Sequence, residues 1–139
     1  FYNNLFVNYQ RKKIKIQLGV DYATQENADT TGKKSASMYS ALMSIRYQCS
    51  SKFAIYCRGE IFNDRDGFIS GVFVNEKNRL TGLKLMGVTA GIEYKPTENS
   101  YVRLEGRQLI ADDTQKIFRW NNKSTNKRME AMIHFGLSF

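Results

Sequence analysis

The charged residues of this chain recur at a spacing of two. Arg103, Glu105 and Arg107 occupy alternate positions, as do Arg58 and Glu60, and Glu93 and Arg46 stand in segments with the same alternation. A period of two is that of a β-strand, whose alternate side chains share one face. Acids and bases placed this way can line a pore and set its ion selectivity by alternating charge. They can equally pair with one another, fill a narrow lumen and hold strand register. Both signs occur close together, so the two outcomes weigh about the same.

Other chemistry fails on spacing. His134 is the only histidine, and Ser138 is its nearest downstream hydroxyl. The two share a face four residues apart, ~13 Å along a strand, beyond hydrogen-bond reach. No catalytic residue is assigned, and no enzyme activity is expected. Cys49 and Cys57 flank a turn at Ser50-Ser51-Lys52. If Cys49 lies opposite Phe53, Cys57 falls opposite Ile45, which puts the cysteines ~13 Å apart. A disulfide needs Cα atoms within ~7 Å, so both are read as small apolar surface residues. Neither a C-x-x-C motif nor a Cys/His cluster occurs, and no metal or cofactor is expected.

The elements that must carry these residues are strands with two unlike faces. In the last one, Met129, Ala131, Ile133, Phe135, Leu137 and Phe139 point one way, and Glu130, Met132, His134, Gly136 and Ser138 the other. Six earlier runs alternate alike. Leu5, Val7 and Tyr9 oppose Asn4 and Asn8, with Phe6 breaking the polar side; Ile14, Ile16, Leu18, Val20 and Tyr22 oppose Lys15, Gln17, Gly19 and Asp21. Tyr39, Ala41, Met43, Ile45 and Tyr47 oppose Ser40, Ser44, Arg46 and Gln48; Phe53, Ile55, Cys57 and Ile61 oppose Tyr56, Arg58 and Glu60. Met86, Val88, Ala90, Ile92 and Tyr94 oppose Gly87, Thr89, Gly91, Glu93 and Lys95. Val102, Leu104 and Ile110 oppose Arg103, Glu105 and Arg107.

The connections alternate short and long: short near Lys12, Ser51 and Glu98, long near Thr30, Phe73 and Asn122. Transmembrane barrels show this asymmetry, with short periplasmic turns and long extracellular loops. Inside a small soluble barrel the mid-strand charges would each cost several kcal/mol unless well paired; facing a wet lumen they carry little penalty. A mean hydropathy of −0.49 does not oppose a membrane location, because alternation hides the apolar half of each strand. The expected fold is therefore all-β, an antiparallel up-and-down transmembrane β-barrel in a bacterial outer membrane. Tyr9, Tyr22, Tyr47, Tyr94 and Phe139, outward and near strand ends, are expected to form aromatic girdles.

Seven strands is an odd count, whereas bacterial barrels usually have an even one with both termini periplasmic. At least one further strand is expected before Phe1, making residues 1–139 the C-terminal portion of a single larger barrel domain. The net charge of +8 resides partly in basic connections: residues 11–15, Lys33-Lys34, and residues 116–128 with Trp120. No nucleic-acid motif accompanies them, and no nucleic acid is expected. Outer-membrane lipid and the phosphates of lipopolysaccharide are the expected partners, together with a larger outer-membrane complex or oligomer.

Three stretches resemble one family. Arg58-Gly59-Glu60-Ile61-Phe62-Asn63-Asp64 followed by Asp66-Gly67-Phe68 looks like the end of an upward strand and its loop in β-barrel porin family 2, the OmpL-like proteins of Bacteroidota-type bacteria. Gly91-Ile92-Glu93-Tyr94-Lys95-Pro96-Thr97-Glu98-Asn99 with Arg103-Leu104-Glu105-Gly106-Arg107 resembles its penultimate hairpin. Phe135-Gly136-Leu137-Ser138-Phe139 is similar to its closing strand. The resemblance implies an outer-membrane location and a barrel wider than these strands can close. The expected function is porin-like passive diffusion of small solutes past Arg46, Arg58, Glu60, Glu93, Arg103, Glu105 and Arg107. The alternative is a structural or accessory barrel subunit of a secretion or uptake complex, with a plugged lumen.

Overall fold

Alternation becomes strand in every run where it occurs. The structure, a computed structural model, describes residues 1–26 and 34–138. Phe139 and Lys33 therefore lie outside the described residues. In chain order the strands are β1 (Tyr2–Arg11), β2 (Ile14–Gln25), β3 (Ala36–Gln48), β4 (Phe53–Asn63), β5 (Phe73–Val74) and β6 (Leu80–Thr81). They continue with β7 (Lys84–Tyr94), β8 (Ser100–Ala111), β9 (Phe118–Trp120), β10 (Lys123–Thr125) and β11 (Lys127–Leu137).

The long strands form one sheet in the order β1-β2-β3-β4-β7-β8-β11. Every neighbouring pair is antiparallel, an up-and-down meander. β1 and β11 are its two edges and do not pair with each other. The short turns fix the registers. Lys12 takes the left-handed backbone (φ 51°) that a two-residue hairpin requires, and Arg11 then pairs with Ile14. Around the Ser50 turn, Ile45 pairs with Cys57, the register inferred from turn length, and both cysteines are free and exposed.

The long connections carry structure of their own. Of the apolar stretch from Phe68 to Val74, only Phe73 and Val74 are strand, as β5, and they pair with β6 in a short hairpin. The basic connection before β11 contains the β9–β10 hairpin, with Trp120 opposite Lys123. Asn121 and Asn122 between them both have positive φ (47° and 62°). That is the two-residue turn for which Asn is a favoured residue.

Burial along the strands is inverted relative to a water-soluble protein. On β7, Met86, Val88 and Ile92 are 50%, 61% and 51% exposed, whereas Thr89 and Glu93 are 1% and 4% exposed. The outward apolar face runs across all seven long strands and includes Leu5, Leu18, Met43, Ile55, Leu104 and Ile133. An apolar surface on this scale far exceeds the few hundred Å² that soluble monomers tolerate. It needs an apolar solvent. Tyr9, Tyr47, Phe53 and Tyr94 stand on this face toward the short turns, with Phe53 and Tyr94 stacked at 4.7 Å. Tyr22 and Tyr39 are cross-strand partners at the opposite end.

Candidate functional site: the charged face

The other face of the sheet gathers all the ladder residues. Arg46 sits on β3, Arg58 and Glu60 on β4, Glu93 on β7, and Arg103, Glu105 and Arg107 on β8. Glu93 is the hub: its carboxylate accepts hydrogen bonds from Arg46 at 2.6 Å and from Arg103 at 2.7 Å. Arg107 donates to Glu60, and Arg58 approaches the same carboxylate at 3.3 Å. Tyr56 donates its phenolic hydrogen to Glu105. His134 on β11 stands 3.7 Å from Glu105. The Arg103 guanidinium also lies 5.2 Å from the Tyr56 ring centroid and 5.0 Å from that of Tyr101, within cation–π range.

Several of these contacts skip a strand, and small residues make that possible. Glu60 on β4 reaches Arg107 on β8 across β7, where its cross-strand partner is Gly87. A Cβ at position 87 would come within 2.6 Å of the Glu60 carboxylate. Tyr56 reaches Glu105 the same way across Gly91, where a Cβ would run into the phenol. Arg46 reaches Glu93 across β4, where the residue paired with Glu93 is the buried Ala54. Long polar side chains thus lie along the sheet, over lanes left open by residues with little or no side chain.

The face is graded from end to end. Toward the short turns lies a concavity of about 630 Å³ whose wall includes Lys13, Lys15, Gln48, Arg46, Glu93 and Arg103. The paired ladder occupies the middle. Toward the long connections the same face turns apolar, with Met38, Leu42, Phe62, Leu85 and Leu109, several around a second cavity of about 260 Å³. Strand parity alone already placed these residues inward, so the apolar zone was open to inference; the polar members of each run dominated the pattern instead.

Two long connections are tied down beyond this zone. Asp64 is fully buried, and its carboxylate accepts backbone N–H groups from Phe68 (3.1 Å), Ile69 (2.9 Å) and Ser70 (2.7 Å). Burial pushes this carboxyl up, but the converging donors outweigh it and hold it below its ordinary value. Gly67 and Gly71 supply positive φ in the same loop. Buried Gln115 then joins the two connections: it donates to the Gly82 carbonyl at 2.8 Å and accepts from the Lys84 N–H at 3.0 Å. Asp112, held low by the Thr114 backbone and hydroxyl donors, faces Lys84 at 3.6 Å.

Among the described residues no cluster of His, Cys, Asp and Glu could hold a metal ion. The arrangement is electrostatic: fixed, mostly paired charges on a concave face whose reverse is apolar. The family profile described as "Putative beta-barrel porin-2, OmpL-like" matches residues 1–139. Neither curated protein sequences nor solved structures give a match. The chain belongs to this OmpL-like porin family. It is a membrane-embedded β-barrel chain, whose sheet has one apolar and one charged face.

Proposed function

We propose that this OmpL-like porin lies in a bacterial outer membrane and passes small solutes by passive diffusion. Arg46, Arg58, Glu60, Glu93, Arg103, Glu105 and Arg107 would line the path. The observation that carries this is the state of the ladder arginines. They are paired, yet Arg46, Arg58, Arg103 and Arg107 remain 28–39% exposed to the concave side, as wet pore walls require. Tyr9, Tyr47 and Tyr94 would anchor one interface and Tyr22 the other. On β3, Tyr39 and Tyr47 are separated by ~26 Å of strand, which at the ~35–45° tilt of such barrels covers ~18–21 Å of their ~25 Å apolar band.

The two edge strands bear on domain organisation. In hydrocarbon each unpaired N–H and C=O costs several kcal/mol, so β1 and β11 need partners. We take these 139 residues as part of one barrel whose further strands pair with both edges. Lys116, Arg119, Lys123 and Arg128, with the exposed Trp120, would meet lipopolysaccharide phosphates beside the β9–β10 hairpin.

A second reading rests on the apolar zone. Met38, Leu42, Phe62, Leu85 and Leu109 narrow the lumen toward the long connections, and a plugged barrel would serve as an accessory subunit of a secretion or uptake complex. Single-channel conductance of the full-length protein in planar bilayers separates the two. Discrete, ohmic steps are expected for the pore; their absence, with the protein shown to be inserted, would favour the plugged barrel.

A further inference from the structure

The ion-paired ladder leaves one set of charges unanswered. Lys12, Lys13, Lys15 and Lys95 line the 630 Å³ concavity at the short-turn end. Their ammonium groups enter no ion pair among the described residues. Lys15 and Lys95 are half-buried, so they are held against the wall rather than extended into solvent. The wall carries seven lysines and arginines against only Glu93 and Glu105. Both acids are already committed: Glu93 to Arg46 and Arg103, Glu105 to Tyr56. A low-dielectric wall focuses an uncompensated field of one sign into the space it encloses.

Uncommitted hydrogen-bond donors point the same way. Thr89, 1% exposed, lines this concavity, and its hydroxyl has no partner. The Nε of Arg103, also buried, has none either. Buried donors left unpaired are costly, and both residues line this concavity.

We propose that the short-turn mouth of the lumen is an anion-binding vestibule that takes compact solutes bearing phosphate groups. This deepens the pore reading and rests on the charged face being a lumen. The mid-lumen ladder, with its charges paired, would then pass what the vestibule concentrates. Phosphate on a lipid headgroup shares the chemistry, but a lumen mouth selects the soluble form.

The test uses full-length protein folded in detergent, with inorganic pyrophosphate as probe, and calorimetric titration. Wild type is compared with a variant carrying Lys12→Asn and Lys13, Lys15 and Lys95→Gln, its folding checked by circular dichroism. Expected is saturable binding that weakens at least tenfold in the variant and falls with added salt. Binding of equal strength in both proteins, or none in wild type, overturns the proposal. If the fourfold variant does not fold, Lys15→Gln with Lys95→Gln is used under the same criterion. Anionic-lipid micelles competing as well as pyrophosphate would overturn the preference for soluble phosphate. In planar bilayers, pyrophosphate added on the short-turn side should reduce KCl conductance in wild type only. A protein that binds pyrophosphate through these lysines but conducts nothing would refute the pore while leaving the vestibule standing.

Discussion

Replacing Glu93 by Gln removes the most deeply buried acid of the spanning strands with almost no change of shape. Its carboxylate is 4% exposed and holds Arg46 and Arg103 at 2.6 and 2.7 Å. A hydrogen bond to a charged group contributes ~1.5–3 kcal/mol. Gln keeps one acceptor oxygen, and its amide N–H₂ turns toward a guanidinium that can only donate. One bond is therefore lost and the other loses its charge assistance. Breaking a fully buried ion pair costs ~3–5 kcal/mol, but the side chains of Arg46 and Arg103 are 28% and 33% exposed, and water takes up part of their charge. The expected loss is ~2–3 kcal/mol. It is measured by guanidinium titration of the full-length protein in lipid vesicles, followed by circular dichroism and the mobility of the folded barrel on gels. The decisive comparison repeats Glu93→Gln in a background with Arg46→Met and Arg103→Met, where the cost should fall below ~1 kcal/mol. An equal cost in both backgrounds would refute the hub.

Gly91→Ala should displace the Tyr56 ring and cost ~1.5–3 kcal/mol through the lost bond to Glu105. Most of that penalty should vanish when Tyr56→Ala is already present, and additive effects in the same titration would count against the lane. Val88→Arg, mid-strand on the lipid face, should cost ~2–4 kcal/mol, with less for Ile92→Arg nearer the turns; insertion yields that rank the other way would reverse the faces. Because Asp64 titrates below its ordinary value when folded, its stabilisation is complete above the unfolded value near ~4 and is lost as pH falls through the folded one. Amide-exchange protection of Phe68, Ile69 and Ser70 should accordingly hold at neutral pH and collapse in acid. In Asp64→Asn it should be weak throughout, and protection in that variant equal to wild type at neutral pH would sink this account.

How much was legible in sequence varies with the kind of information. Which face a residue takes needs only parity, and Ile14 to Tyr22 on β2 or Met86 to Tyr94 on β7 declare it without ambiguity. The Ile45–Cys57 pairing followed from the length of one turn. Partners two strands apart did not, because parity says nothing about what lies beyond the adjacent strand. Glu93 with Arg103 could be anticipated as neighbours across the Pro96 turn, whereas Glu93 with Arg46 needed the sheet. Asn121-Asn122 marks a hairpin by its turn chemistry, yet the lysines and arginines around it suggested only a basic loop. Asp64 carried the same ambiguity: nothing in its spacing distinguishes a carboxylate that gathers backbone amides from one that meets solvent.

The lanes over Gly87 and Gly91 have a consequence for errors of assembly. A slip of β7 by one residue would turn Met86, Val88 and Ile92 into the lumen, and lipid alone forbids that. A slip by two keeps every apolar residue facing lipid, so the alternating pattern is blind to it. Such a slip would put Thr89 or Glu93 beneath Tyr56, and Leu85 or Thr89 beneath Glu60, where each Cβ obstructs a side chain that must lie flat. The two glycines thus read the sheet at a finer interval than hydrophobicity can. A strand that has slipped by two loses both strand-skipping contacts at once, so misregistered hairpins are penalised before the barrel closes around them.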